Sequence, residues 1–279
     1  MHNTEAIISD RYPYLASIGL YFLVGIFYLY IKDNYNKYTN ITKYSFYIII
    51  IALSITTFNR NKVWENDYTL FTDVLQKHPE AYIAANNLGV YSLNNGKIND
   101  AISYFSQAIE INPNFSDAYS NRGSIYYKQN KIDDALLDLN KAIELNTNNS
   151  KALMNRGNIF YAKKEYDNAL ADYNKAIKIN PNNCKTHINR GLLYCQKNKV
   201  KDAKIDFDTA KKTCPQLATD INKQIKDFLD FYNKTGVYYG QKGDYNKALE
   251  YFNMALTLDP NFTDAKQNIL YAKKMMKEN

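Results

Sequence analysis

Apolar side chains follow two regimes along this chain. Up to residue 59 they form near-continuous runs; beyond it they recur at helical spacing between short polar turns. In the second regime Ala101, Phe105, Ala108 and Ile109 fall on one helical face, and turns such as Asn94-Asn95-Gly96-Lys97 separate successive helices. A pattern of 34 residues recurs five times between Tyr82 and Phe262, in frames opening at Tyr82, Ser116, Ser150, Cys184 and Leu229. Position 8 of each frame is Gly89, Gly123, Gly157, Gly191 or Gly236, and position 20 is Ala101, Ala135, Ala169, Ala203 or Ala248. Position 27 is again alanine (Ala108, Ala142, Ala176, Ala210, Ala255), and position 24 is large: Phe105, Leu139, Tyr173, Phe207, Phe252. Position 32 reads Pro113, Thr147, Pro181, Pro215 and Pro260, a stop for the second helix.

Two antiparallel helices approach closely only over small side chains. The pattern therefore predicts that glycine 8 meets alanine 20 within each hairpin. Alanine 27 then receives the next hairpin, and residue 24 fills the space between layers. This pattern resembles the tetratricopeptide repeat (TPR), a helical hairpin whose apolar face is buried only by stacking into a solenoid. The expected fold class is all-α: an N-terminal transmembrane helical hairpin followed by a TPR α-solenoid. Residues 1–60 would hold two transmembrane helices and 61–81 a half-repeat cap, with Phe71 and Val74 at positions 24 and 27. Residues 82–261 would hold the five repeats (82–115, 116–149, 150–183, 184–217 and 229–262), and 262–279 a C-terminal cap apolar at Ala265, Ile269, Ala272 and Met276. The 11 residues Ala218 to Phe228 are extra to the frame, and Ile221, Ile225, Phe228 and Phe231 predict a lengthened first helix there.

The membrane expectation rests on the first regime. Tyr12 to Ile31 is a run of 20 uncharged residues, enough as a helix for a bilayer core of about 30 Å. Tyr44 to Phe58 is shorter, with Lys43 and Arg60 placed to snorkel. Tyrosines cluster at the ends of both segments, as at a lipid interface. Two buried core helices are the alternative, but no other part of the chain is large enough to bury them. Glu5 and Asp10 in the first stretch, and the lack of a small-x-small site, argue against a cleaved signal. The chain is thus expected to be an integral membrane protein in contact with lipid. Lys32, Lys37 and Lys43 in the loop balance Arg11, Arg60 and Lys62 outside it, so charge sets no orientation.

The net charge is +7, but the lysines are spread along helices and form no basic patch interleaved with aromatics, which argues against nucleic acid. Cys184, Cys195 and Cys214 lack metal-ligand spacing, and their odd count predicts packing thiols rather than a disulfide framework. His2, His78 and His187 share no metal spacing, and no phosphate-cradling glycine loop is present. Neither a cofactor nor a catalytic constellation is expected.

Binding chemistry concentrates at position 6, which is Asn87, Asn121, Asn155 and Asn189 in four consecutive frames. An amide offers both a donor and an acceptor, so a ladder of asparagines could read the backbone of an extended peptide. Tyr127, Lys128 and Tyr161, one or two turns further along, would add stacking and charge. Inheritance by duplication in an asparagine-rich chain is the plainer explanation. Arg122, Arg156 and Arg190 at position 7 are read as bridges between repeats rather than ligand contacts.

The segment Asp10-Arg11-Tyr12-Pro13-Tyr14-Leu15-Ala16-Ser17-Ile18-Gly19, followed by Arg60-Asn61, Trp64, Leu70-Phe71 and Pro79, resembles the C-terminal end of the transmembrane-and-TPR O-mannosyltransferase-like family, with Ala16 where that family has proline. The resemblance implies a C-terminal or accessory part of a lipid-sugar-dependent membrane glycosyltransferase. It also implies repeats on the extracytoplasmic side and a multi-spanning membrane protein as partner. The family's catalytic acidic pair has no counterpart here. The leading expectation is accordingly a non-catalytic, membrane-anchored scaffold that binds a protein or extended peptide in the TPR groove.

Overall fold

The computed structural model describes residues 12–34 and 39–278, and these are helices joined by short turns. The chain divides into two compact units, residues 1–125 and 126–279.

The first unit opens with α1 (Tyr12–Asn34) and α2 (Thr39–Val63), which meet where the Tyr28 and Phe46 rings stack 4.7 Å apart. Phe22, Phe27, Ile48 and Phe58 on these helices are exposed. Among the described residues no helix is long and apolar enough to cross a membrane. This overturns the expected integral-membrane localisation and leaves the transmembrane hairpin without support. The reason is visible in the composition. Only 16 residues separate Lys43 from Arg60, against the roughly 20 a span needs, and Ser45, Ser54, Thr56 and Thr57 interrupt them. Tyrosine, whose hydroxyl offsets its apolar ring, takes five of the 23 positions of α1. Asp10 and Arg11, the start of the segment that suggested a glycosyltransferase, lie outside the described residues, as do the side chains up to Tyr21.

A capping box starts α3 (Asp67–Lys77): the Asn66 side chain accepts from the Thr69 backbone N–H, and the Thr69 hydroxyl accepts from that of Asn66. Helix α3 buries Val74 against Ala81 and Ala84 at the start of α4 (Tyr82–Asn94). Helix α5 (Ile98–Ile111) returns antiparallel to α4 and buries Phe105 completely. Burial of such a ring contributes about 2–3 kcal/mol. Ala108 receives Ala118 of α6 (Ser116–Lys128), whose N-terminal part belongs to this unit.

The second unit contains α7 (Ile132–Leu145), α8 (Ser150–Ala162), α9 (Tyr166–Ile179), α10 (Cys184–Gln196) and α11 (Val200–Thr213). After a 3-10 turn at Pro215–Leu217 come α12 (Ala218–Gln241), α13 (Tyr245–Leu258) and α14 (Thr263–Glu278). The 24-residue α12 absorbs the extra residues between frames, burying Ile221, Ile225, Leu229 and Tyr232 along one face.

The packing logic differs from the expectation in one respect. At Gly89, Gly157, Gly191 and Gly236 the nearest side chain over position 8 is the ring at position 24, not alanine 20. A Cβ on Gly89 would lie 2.6 Å from the Phe105 ring; on Gly157, 2.7 Å from Tyr173; on Gly236, 2.5 Å from Phe252. Glycine here makes room for an aromatic side chain rather than for a helix backbone.

The turn inside each hairpin also repeats. Gly96, Asn130, Lys164, Asn198 and Gly243, all at position 15, adopt left-handed backbone with φ of 74°, 60°, 60°, 56° and 79°. The N–H after each one bonds back to the carbonyl five residues earlier, as in Lys97 N–H to Ser92 O and Glu165 N–H to Phe160 O. That closes the helix end as a Schellman motif. Glycine and asparagine tolerate this conformation; Lys164 does so at a cost.

The position-7 arginines do bridge repeats. Arg156 clasps Asp172 of its own hairpin with two bonds of 2.8 Å and donates to Asn140 of the preceding one at 2.9 Å. Arg190 treats Asp206 and Asn174 in the same way. In the first unit Arg122 donates to Ser106 at 2.9 Å. Asp206, almost wholly buried, also receives His187 Nδ1 at 2.7 Å.

The cysteine expectation is corrected for two of three residues: Cys184 and Cys214 form a disulfide. They are positions 1 and 31 of one frame, the start of α10 and the residue after α11. An antiparallel hairpin brings those ends together, a proximity that a parity count cannot see. Closing a loop of 30 residues stabilises the fold by about 3.5 kcal/mol on a chain-entropy estimate. Cys195 remains a buried free thiol.

Candidate functional site

In the second unit the C-terminal end of α6, the exposed sides of α8 and α10 and the ring of Tyr173 from α9 enclose a cavity of about 200 Å³. Its lining is Tyr127, Asn158, Tyr161, Tyr173, Asn189 and Leu192. Each reaches the cavity through helical periodicity. Asn158 and Tyr161 are one turn apart on α8, and Asn189 and Leu192 one turn apart on α10.

Asn158 organises the polar half. Its side-chain oxygen accepts from the Tyr173 hydroxyl at 2.8 Å and from Asn189 Nδ2 at 2.7 Å. Its backbone carbonyl lies 3.5 Å from the Tyr127 hydroxyl. Burial raises the pKa of Tyr127, Tyr161 and Tyr173 above the usual phenol value, so all three stay protonated donors across the physiological range. The bonds leave two groups on the wall uncommitted: Asn158 Nδ2 as a donor and Asn189 Oδ1 as an acceptor. A peptide unit presents the complementary pair, C=O and N–H. No charged side chain lines the cavity.

The seven residues singled out from sequence divide accordingly. Tyr127, Tyr161 and Asn189 come together here. Asn155 is buried in the same unit, and its Nδ2 has no hydrogen-bond partner. Lys128 is exposed and does not line the cavity. Asn87 and Asn121 belong to the first unit, where Asn121 Nδ2 donates to Asn86 Oδ1 at 2.9 Å and Asn121 is buried. Three of the four position-6 amides are therefore spent on, or enclosed by, neighbouring helices: Asn121 on Asn86, Asn189 on Asn158, and Asn155 by burial.

Sequence reasoning missed Asn158 and Leu192, both at position 9. The available signal was their place on the first helix one turn beyond position 6. Asn158 breaks an otherwise apolar or small series (Val90, Ser124, Leu192, Val237). Tyr173 was read only as filler between layers, yet its hydroxyl reaches the groove.

Among the described residues no group of acidic, histidine and cysteine side chains is placed to hold a metal. Burial pushes the Cys195 thiol up to about 12, leaving it neutral and a poor nucleophile at physiological pH.

Comparison with known proteins bears on the hairpins. One family model, described as a TPR repeat, matches residues 93–130 and 157–198. A second, the tetratricopeptide repeat, matches residues 116–149 and 230–262. The matched segments are tetratricopeptide repeats. A stretch of 103 residues, 37% of the chain, is 27% identical to protein O-mannosyl-transferase Tmtc2 of Drosophila melanogaster and spans 11% of that protein. A shorter stretch of 47 residues, 17% of the chain, is 47% identical to an uncharacterized protein of Methanocaldococcus jannaschii, covering 55% of it. The chain thus spans about a tenth of the transferases it matches. Among solved structures, the TPR protein YrrB, described as having an unusual peptide-binding site, covers 73% of this chain and 97% of its own at 20% identity and a TM-score of 0.49. The likeness to the transferases lies in the TPR part and carries the repeat, not their chemistry.

Proposed function

We propose that this protein is a non-catalytic TPR scaffold that binds an uncharged stretch of extended peptide in the cavity between α8 and α10. The observation that carries this reading is the uncommitted pair, Asn158 Nδ2 and Asn189 Oδ1, set beside the Tyr127 and Tyr161 rings. One peptide unit would satisfy both amides while its side chain enters the aromatic half. In this reading Tyr127, Tyr161 and Asn189 contact the ligand, joined by Asn158. Asn155, with its orphaned Nδ2, sits behind them as an alternative donor. Asn87, Asn121 and Lys128 have no part in this site.

The test is selection from a random peptide library on the parent protein, followed by binding to Leu192→Trp and Tyr161→Ala. Filling the cavity with tryptophan should abolish binding of selected peptides, and removing the Tyr161 ring should weaken it about tenfold, a stacking-sized loss. Both side chains pack partly against the core, so each variant is compared at a temperature where its melting curve shows it fully folded. Parental affinity in Leu192→Trp would refute the site.

The likeness to O-mannosyl-transferases supports a second reading, in which the repeats are the partner-binding part of a glycosyltransferase. Recovery of such an enzyme as a stoichiometric partner of the purified protein would favour it.

A further inference from the structure

A second cavity, about 270 Å³, opens between α10 and α12, lined by Cys195, Gln196, Asn198, Asp227, Phe228 and Phe231. It exists because of the extra residues before the fifth frame. They extend α12 backwards and bring Asp227 and Phe228 beside the end of α10, where a regular repeat would have a turn.

Its chemistry is unlike that of the α8–α10 cavity. Asp227 is exposed and makes no hydrogen bond or ion pair. Of the lysines close to it in sequence, Lys223 and Lys226 form no ion pair with Asp227, and Lys197 on α10 is engaged by Asp167 at 2.6 Å. Phe228 and Phe231 line the same cavity, and Phe231 is 55% exposed although it borders it. Gln196 and Asn198 add side-chain carbonyls that accept no bond within the protein. Asn198 is held at the rim by its left-handed backbone, φ 56°. The buried floor ends at Cys195, whose carbonyl is tied down by the Tyr232 hydroxyl at 2.7 Å.

A free carboxylate, aromatic faces and amide carbonyls complement one class of group. The geometry points to a binding site for an arginine side chain of a peptide partner. A guanidinium can stack on a Phe ring while its fork engages Asp227, and its remaining N–H groups reach the amide carbonyls. A lysine ammonium would satisfy the charge but not the planar stacking. A carboxylate would be repelled by Asp227.

The two cavities share α10 as a wall. Leu192 borders one and Gln196, a turn further on, borders the other, about 6 Å along the helix axis. Adding the spacing of neighbouring helices, about 9 Å, puts the cavities roughly 11 Å apart, or about three residues of extended chain. A peptide seated in the α8–α10 cavity would therefore reach this one with an arginine about three positions away. That spacing rests on the proposed groove binding; the arginine site itself does not.

The experiment titrates the full chain with N-acetyl-arginine-methylamide, and in parallel with N-acetyl-glutamine-methylamide, following the resonances of Asn198 and Phe231 by NMR. Saturable shifts are expected with the arginine probe only, weakening as salt rises. Asp227→Asn should lose about tenfold in affinity and Phe231→Ala a similar amount, with unchanged melting curves, because both side chains are exposed. Equal shifts from the glutamine probe, or full arginine affinity in Asp227→Asn, would overturn the site. Leu192→Trp separates the two readings. It should leave the arginine probe's affinity unchanged, even where it abolishes capture of library peptides.

Discussion

Lys164 is the natural place to test how the hairpin turns set stability. The five equivalent turns all require left-handed backbone, with φ between 56° and 79°, and four of them use glycine or asparagine. Lys164 meets the same requirement with a Cβ, which costs roughly 1–2 kcal/mol. Its side chain is exposed and makes no ion pair, so nothing is lost by removing it. Glycine would relieve the clash but raise the conformational entropy of the unfolded chain by about 0.5–1 kcal/mol. The balance favours Lys164→Gly by about 0.5–1 kcal/mol, or about 2 °C in melting temperature for a unit of this size. Lys164→Asn, matching Asn130 and Asn198, should gain at least as much. Gly243→Ala provides the converse, a loss of about 1 kcal/mol. Urea unfolding followed by circular dichroism at 222 nm reads all three. If Lys164→Gly is neutral or destabilising while Gly243→Ala is harmless, backbone strain at position 15 does not govern these turns.

Two further outcomes follow from the buried polar groups. Asp172→Ala leaves the half-buried Arg156 without its carboxylate and should cost about 3 kcal/mol. Arg156→Met combined with Asp172→Leu should recover most of that, since replacing both partners removes the stranded charge; chemical denaturation of the three variants tests it. The Cys195 thiol, raised by burial to about 12, stays neutral in the folded protein at pH 9, whereas in the unfolded chain it ionises above about 8.5. A raised thiol pKa means stability is complete below the unfolded value and declines as pH climbs towards the folded one. Iodoacetamide at pH 9 should therefore label Cys195 only in urea, as read by mass spectrometry, and equal labelling without denaturant would contradict its burial.

Much of the fold was legible because repeat proteins write their packing at fixed intervals. Glycine 8, alanine 20 and alanine 27 can be read from one dimension, since each serves a contact made by every hairpin. The arginines at position 7 were legible as bridges for the same reason: Asp172 and Asp206 lie 16 residues further on in their own frames. The N-terminal stretch misled because a run of uncharged residues says how long a helix is, not how apolar. Tyrosine and threonine satisfied the first test and diluted the second.

The site was legible only in part. Sequence placed Tyr127, Tyr161 and Asn189 on first helices, but amides at one frame position do not share one environment. Asn121 is spent on Asn86, Asn155 is enclosed, and Asn189 turns to Asn158. Those differences arise from the neighbouring helix, which the repeat register does not encode.

By itself, then, the sequence determined the helical hairpins, their length and the small-residue contacts that let them nest, because these depend on local periodicity. Tertiary structure alone decided that aromatic rings, not alanines, cover the glycines, that Cys184 meets Cys214, and that a lengthened α12 leaves Asp227 on a cavity with two phenylalanines and without a counter-charge. The first two join residues 16 and 30 positions apart, and the third sets Asp227 on the same cavity as Cys195, 32 positions earlier; such meetings are fixed by how helices cross rather than by what any one helix prefers.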